Sequence, residues 1–291
     1  MGRRRVGHAV DRAPAPLLVV VAACSFQGGA ALATTIFDEV GPLGAVTLRV
    51  AFGAAILLAL HPGLLRRRPR GELRWVLLLA VVLAGLNASF YEAIERVPLG
   101  VVVTVEFLGP LGIAIAGSRR ARDFLWVVLA ALGVALLGSP TVDVDLIGFG
   151  FALAAATCFA GYIVVGKRVT ASWNLSEGLT VSMALAAVLL LPLGIPAGGS
   201  GLLELHVLAA GVGVALLASV LPYMLELAAL RRMRTSTFGI VVSLEPAIAA
   251  LAGLVLLAQA LDPFEWLAVV LVTIASIGAN RDARGPMPHE A

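Results

Sequence analysis

Charge is scarce in this chain. Lysine, arginine, aspartate and glutamate together make up 13% of its 291 residues, against about 25% in soluble domains. The shortage is matched by a surplus: 60% of the residues are hydrophobic and the mean hydropathy is +0.98. A soluble fold of this length could not bury that much apolar surface. The excess must face lipid, so the class is an integral membrane protein. Cysteine is nearly absent. Cys24 and Cys158 both lie in apolar runs and no CxxC spacing occurs, which argues against a disulfide framework or thiolate metal site. They read as small buried residues. Histidine is also rare. His8, His61, His206 and His289 fall at helix ends or in tails, so a membrane-embedded enzyme would lack an intramembrane histidine or metal cluster. No cofactor and no metal are expected.

What is present is a series of apolar runs near the ~20 residues that a helix needs to cross a bilayer. Ten are found: 15–36, 43–61, 73–94, 98–118, 124–139, 146–166, 178–196, 205–227, 237–258 and 264–280. The fifth and tenth are short for a full span. The alternation of a membrane barrel is missing, so these are helices. The start "MGRRR" with "ALA" at 31–33 resembles a signal peptide. The run is nevertheless long enough to span, and the repeat described below requires it.

The net charge of +3 could suggest nucleic acid, but the basic residues are placed by topology. Nineteen of the 21 lysines and arginines precede run 1, follow run 10, or lie after runs 2, 4, 6 and 8. An even helix count puts all nineteen on one side, and the positive-inside rule makes that side, with both termini, cytoplasmic. Residues 1–14 and 281–291 become cytoplasmic tails. The opposite loops carry acids, as in "FDEVG", "TVDVD" and "ALDPFE". Trp75, Trp126 and Trp266 lie near run ends, where tryptophan anchors at the interface.

The chain also resembles itself. "AACSFQGGAAL" lies on "AATCFAGYIVV" and "VTLRVAFGAAILLAL" on "LTVSMALAAVLLLPL", both at an offset of 133 residues. "AIERVPLGVVVTVEFLGP" lies on "ALRRMRTSTFGIVVSLEP" at 136, and Trp126 on Trp266 at 140. Two repeats, 15–140 and 146–280, follow. Each holds five helices, an odd number, so the second enters from the opposite side. Inverted repeats of this kind are a plan of secondary transporters, with the substrate near mid-membrane and alternating access between the halves.

A charge at mid-bilayer costs at least ~2.5–3.5 kcal/mol, so it should face a cavity or a partner. Arg49, Glu106 and Glu245 look deep; Glu92 and Glu226 lie nearer run ends, and Glu226 reads as structural or interfacial. Aligning Pro110 with Pro246 puts Glu106 on Val242, nearly one turn from Glu245. Each proline leaves a carbonyl without its donor, and carbonyls beside a carboxylate suit an ammonium or another cation. The alternative for each acid is an ion pair or a neutral carboxyl between helices. Arg49 has two open readings: it binds a substrate carboxylate, or it neutralises Glu106. Gln27, Asn87, Tyr91, Tyr162 and Tyr223 are further cavity candidates; such groups also commonly bond neighbouring helices.

The repeats, with "PLGVVVTVEFLGPL", "SRRARDFLWVVLAALG", "VLPYMLELAAL" and "TFGIVVSLEPAIAAL", resemble the drug/metabolite transporter superfamily with EamA domains. "SFQGGAALA" and "VTLRVAFGAAILLAL" are similar to its bacterial threonine/homoserine exporters. Departures are Thr34 and Thr35 where relatives often carry lysine, Gln259 for an acid, and Ala88 for a tyrosine. The resemblance implies a multi-pass protein of the bacterial inner membrane that exports small amino acids or related metabolites. Arg49 would meet the carboxylate of a zwitterion and Glu106 its ammonium; Glu106 and Glu245 are the candidate proton-coupling residues. The partners expected are a small molecule, the bilayer and protons, with no nucleic acid and no stated oligomeric state. Two other readings remain: an exporter of hydrophobic cations, drugs or other metabolites, and a non-transporting receptor. A drug site would need an acid and an aromatic cage but no arginine. A receptor would require neither the inversion nor the deep polar set.

Overall fold

The computed structural model describes residues 13–61, 72–116, 121–137, 145–173, 175–230, 232–233 and 235–282. The terminal tails and most of the arginine-rich connections, including Arg66–Arg70 and Arg119–Arg120, lie outside the described residues. Among the described residues every regular element is helical.

Two prolines shape the start of the chain. Pro14 and Pro16 have no N–H to leave unsatisfied, so they suit the first turn of α1, Ala15–Thr34. The next helix, α2 (Phe37–Leu60), is kinked near its beginning. Gly41 has φ 65°, a conformation open to glycine, and Pro42 follows it. α3 spans Leu73–Arg96 and ends where Val97, extended before Pro98, cannot continue it. What was expected as one fourth helix is two, α4 (Leu99–Glu106) and α5 (Leu108–Ala116). The break falls at Phe107, one turn before Pro110. α6 covers Ala121–Leu137. α7, Leu146–Ser172, is capped by the Asp145 carboxylate, which accepts from the N–H groups of Ile147 and Gly148 at 2.7 and 3.0 Å.

The second half is broken more often. α8 (Leu175–Gly198) runs into a 3₁₀ turn at Gly199–Leu203. α9 (Leu205–Ala215) passes through a π-helical turn, Leu216–Val220, into α10, Leu221–Leu230. α11 (Thr235–Val242) and α12 (Glu245–Leu257) are divided at Ser243–Leu244, just before Pro246. α13 is Pro263–Asp282.

Seven helical stretches are long and apolar enough to cross a bilayer. Four are Ala15–Thr34, Phe37–Leu60, Leu73–Arg96 and Leu146–Val169; three pass from one helical element into the next, Glu177–Leu203, Leu205–Glu226 and Phe238–Leu257. Leu99–Ile113, Phe124–Leu137 and Pro263–Ala279 are shorter apolar helices. Two of these three match the runs expected to be short, the fifth and tenth.

The packing places α3 against α7 and α10 against α1, while α2 lies on α8, α4 on α12, and α6 on α13. Small residues make the closest approaches. A Cβ at Gly29 would lie 2.7 Å from the Ala218 Cβ, and one at Gly100 would lie 2.6 Å from the Ala250 Cα. Lipid tails offer no hydrophobic contrast between helices, so such backbone-to-backbone packing carries the association. Outward faces remain apolar, as with Leu77, Leu78 and Val81 on α3 or Leu251, Leu254 and Val255 on α12. Trp75 lies beside two guanidinium groups, those of Arg74 and Arg168, at 5.2 and 5.6 Å from its ring centroid. Cys24 is exposed and Cys158 half-buried, both free thiols.

Gln259 has a structural task. Its side-chain oxygen accepts the N–H of Leu99 at 3.0 Å, capping α4 from the far end of α12. The turn that delivers it holds Ala258 at φ 53°, left-handed and unfavourable for a residue with a Cβ. Ala258→Gly is therefore expected to stabilise the protein by about 1 kcal/mol. A melt of the detergent-solubilised protein checks this; an unchanged or lower midpoint would rule out the strain.

Candidate functional site

The broken helices meet around one cavity of about 220 Å³. Its wall is built from α1, α2, α3, α7, α8 and α10, the π turn, and the ends of α4 and α12 at their breaks. Of the eight residues singled out from the sequence, Gln27, Arg49, Asn87, Glu106, Tyr162, Tyr223 and Glu245 line it. Tyr91 does not line it but packs directly behind, fully buried.

Arg49 is the best-defined group. Its Nε donates to the Ser219 hydroxyl at 3.1 Å and its Nη2 to the Ala218 carbonyl at 2.8 Å. The reason that carbonyl is available lies in the sequence. In an α-helix the N–H four residues on would occupy it, and that residue is Pro222, which has none. The π turn widens the helix at the same place. The guanidinium is also set between two rings, with Phe26 and Tyr91 centroids at 5.0 and 5.4 Å. Arg49 is 5% exposed, and its Nη1 is buried without a partner. The Gln27 amide, wholly buried, likewise has neither its oxygen nor its nitrogen bonded. Buried polar groups are normally satisfied, so this wall presents polar atoms without protein partners.

Glu106 is 8% exposed at the last residue of α4 and makes no hydrogen bond or ion pair among the described residues. Arg49 is close enough to act on it electrostatically but spends its bonds on Ser219 and Ala218. Arg49 and Glu106 share the cavity without a direct ion pair between them among the described residues. Glu245 opens α12, half-buried, and lines the same cavity as Glu106 and Glu226. The Asn87 amide nitrogen donates to the Leu83 carbonyl at 2.7 Å. Tyr162 stands beside Phe159, which makes an edge contact with Phe107 at 6.0 Å.

Glu226 is a correction. Its position near a run end reads as structural or interfacial, yet it lines the cavity. A π turn at Leu216–Val220 adds a residue to the helix just before α10, and nearness to a run end does not report which face Glu226 takes beyond it. Pro222 was the available signal. Thr34 and Thr35 donate to carbonyls of their own helix at 2.8 and 2.7 Å. Outside the cavity, Glu39, Glu204 and His206 come together at an exposed helix end. The histidine Nε2 lies 2.6 Å from a Glu39 oxygen. Their separation in sequence hid this grouping, which is accounted for as a surface ion pair, an arrangement of small energetic weight.

An EamA-like transporter family model matches residues 146–281. The chain is 40% identical over 271 residues, 92% of each sequence, to the threonine/homoserine exporter RhtA of Escherichia coli K12. The chain belongs to the EamA-like transporter family. It is 39% identical to the exporter of the same name from Salmonella typhimurium LT2, again over 92% of both. It is 28% identical to an uncharacterised transporter, YwfM, of Bacillus subtilis over 74% of this chain and 76% of that one. A solved crystal structure shares the fold, with a TM-score of 0.63 and 19% identity over 93% of this chain and 97% of the other. The family consists of membrane transporters, not enzymes.

Proposed function

We propose that this family member exports small amino acids of the threonine and homoserine type from the cytoplasm by alternating access. The observation that carries the reading is the pairing, in one small cavity, of an arginine with a free donor and a carboxylate with no partner. A zwitterion needs both. Arg49, helped by Gln27, takes the substrate carboxylate in charge-assisted hydrogen bonds. Glu106 takes the ammonium, aided by its own backbone carbonyl, which Pro110 leaves without a donor. Asn87, Tyr162 and Tyr223 shape the remainder, and Tyr91 supports the guanidinium from behind. Glu106 and Glu245 are the acids at which a proton can exchange. A cavity of about 220 Å³ lies below the ~300–1,000 Å³ usual for drug-sized ligands. This size, with the arginine, favours a small metabolite over a hydrophobic cation.

The reading includes ten spans in two inverted repeats, 15–140 and 146–280, with both termini in the cytoplasm of a bacterial inner membrane. Seven long stretches and three shorter ones supply that number. The wall residues support the repeats, because many come in related pairs. Phe26 and Phe159, and Val50 and Met183, are 133 residues apart. Leu83 and Ser219, Leu86 and Pro222, Asn87 and Tyr223, and Phe90 and Glu226 are 136 apart. The packing is also unchanged by exchanging halves, since α3 on α7 answers α10 on α1.

The test is counterflow in proteoliposomes with a panel of labelled amino acids. Uptake of labelled threonine or homoserine against internal unlabelled substrate is expected. If no panel member moves, the amino-acid reading fails. For orientation, a reporter placing the 66–74 segment outside would overturn the topology.

A further inference from the structure

Away from the cavity, two cations from different helices converge on one aromatic ring. Trp75 stands in the first turn of α3, with the Arg74 guanidinium 5.2 Å from its ring centroid. From the last turns of α7, Arg168 reaches the same ring at 5.6 Å. Arg74 is answered by Glu72 in an ion pair of 2.6 Å. Arg168 is exposed and has no carboxylate or carbonyl acceptor among the described residues. We propose that this place, between the ends of α3 and α7, binds the phosphate headgroup of an anionic phospholipid of the surrounding bilayer, with Arg168 as its main contact.

The chemistry of the contact suits a phosphate. A guanidinium against an indole is held by the ring's π face, which spends none of its N–H donors. Those donors keep the planar fork that grips a phosphate through two parallel bonds. Beneath the cations the exposed side chains are apolar. Leu77, Leu78 and Val81 follow Arg74 at one and two turns on α3, and Val164 precedes Arg168 by one turn on α7. Gly161 lets the two helices approach between them, since a Cβ there would lie 3.4 Å from Val82. Cations at headgroup level above an apolar furrow fit a lipid with its chains, whereas a soluble anion has no use for the furrow.

Helix packing alone does not account for the trio. In the proposed repeats the start of α3 answers the start of α9, and the end of α7 answers the end of α1. That second pair also packs together, yet its corresponding residues are Ala209, Ala210 and Gly211 on one helix and Thr34 and Thr35 on the other. The crossing therefore forms without a tryptophan or a cation. In the proposed topology the trio lies at the cytoplasmic leaflet, where basic pockets between transmembrane helices take anionic headgroups; its counterpart lies at the outer leaflet. Deeper in the membrane, α3 supplies Asn87 to the cavity and α7 supplies Tyr162. A headgroup bridging Arg74 and Arg168 thus ties together two helices of the cavity wall, one from each repeat.

The test titrates the detergent-solubilised full-length protein with dioleoylphosphatidylglycerol or dioleoylphosphatidylcholine and reads bound lipid by native mass spectrometry. The two lipids share their acyl chains and differ in headgroup charge. Wild type is expected to bind the anionic lipid about five- to tenfold more tightly, the scale set by one or more interfacial cations. Arg168→Gln, with an unchanged melting midpoint, is expected to bring the two lipids within about twofold. Arg281→Gln removes a charge in the last turn of α13 and is expected to keep the preference. Equal binding of both lipids by wild type overturns the proposal without any variant. So does an Arg168→Gln protein that keeps its preference, or an Arg281→Gln protein that loses it, because net charge is then the cause. Displacement of the lipid by inorganic phosphate makes this a site for soluble anions and also overturns it. Should Arg168→Gln fail to survive purification, Arg74→Gln takes its place under the same criterion. Lipid binding is read without transport, so the outcome is independent of the substrate assigned above.

Discussion

Arg49→Lys is expected to reduce amino-acid counterflow about 100-fold while leaving a folded protein. The substitution keeps the positive charge, so its cost measures geometry. The guanidinium presents donors in a fixed planar fork: one nitrogen holds the Ser219 hydroxyl, another the Ala218 carbonyl, and the third is free. A lysine ammonium is a single centre on a flexible stem. It can bond the backbone carbonyl or a carboxylate, but it cannot hold the first while gripping the second through two parallel bonds. Hydrogen bonds to charged groups contribute about 1.5–3 kcal/mol each. Losing one or two of them from the loaded state corresponds to one to two decades or more, at about 1.4 kcal/mol per decade. The measurement is the initial rate of labelled threonine counterflow, with the melting midpoint as the control for folding. A lysine protein within threefold of wild type would show that the carboxylate is held elsewhere.

Glu106→Gln should produce the second large effect, a 10- to 100-fold weaker apparent affinity for zwitterionic substrate. The amide fills the same space but withdraws the negative charge, and an ammonium in the cavity then lacks its counter-ion. A hydroxy-acid analogue of threonine, which lacks the ammonium, separates this from general damage. It should compete equally well against wild type and variant, because its carboxylate is met by Arg49. If the analogue and the amino acid lose affinity together, Glu106 acts through the shape of the cavity and not through the ammonium.

Much of this was legible from residue order. The helical class follows from runs of apolar residues whose length matches a bilayer, and the site candidates follow from the cost of placing charge there. Glu106 and Arg49 were conspicuous because no other charged residue lies near them in sequence. Other features depend on contacts between distant segments. Gln259 caps Leu99 across 160 residues, and no local pattern announces that. Glu226 was misread because it lies near the end of an apolar run, where an acid is cheap. The helix that carries it begins directly after the π turn and packs on α1, and there it lines the cavity. Helix breaks at Phe107 and Ser243–Leu244 were foreshadowed by Pro110 and Pro246, but which groups the breaks expose depends on packing. The deep positions could be listed from sequence; which of them share one wall could not.

The manner in which Arg49 is held has an electrical consequence. Its bonded partners are a hydroxyl and a backbone carbonyl, both neutral, so its charge is not cancelled. The sealed end of the cavity is therefore positive, and the half-buried end carries the carboxyl groups of Glu226 and Glu245, negative when they are ionised. With those acids ionised the cavity is itself a dipole. A molecule carrying separated charges of both signs finds one orientation favourable and the reverse unfavourable, so it enters carboxylate first. A molecule with a single charge is welcomed at one end and repelled at the other. Such a field can sort zwitterions from simple cations and anions before any side chain is recognised.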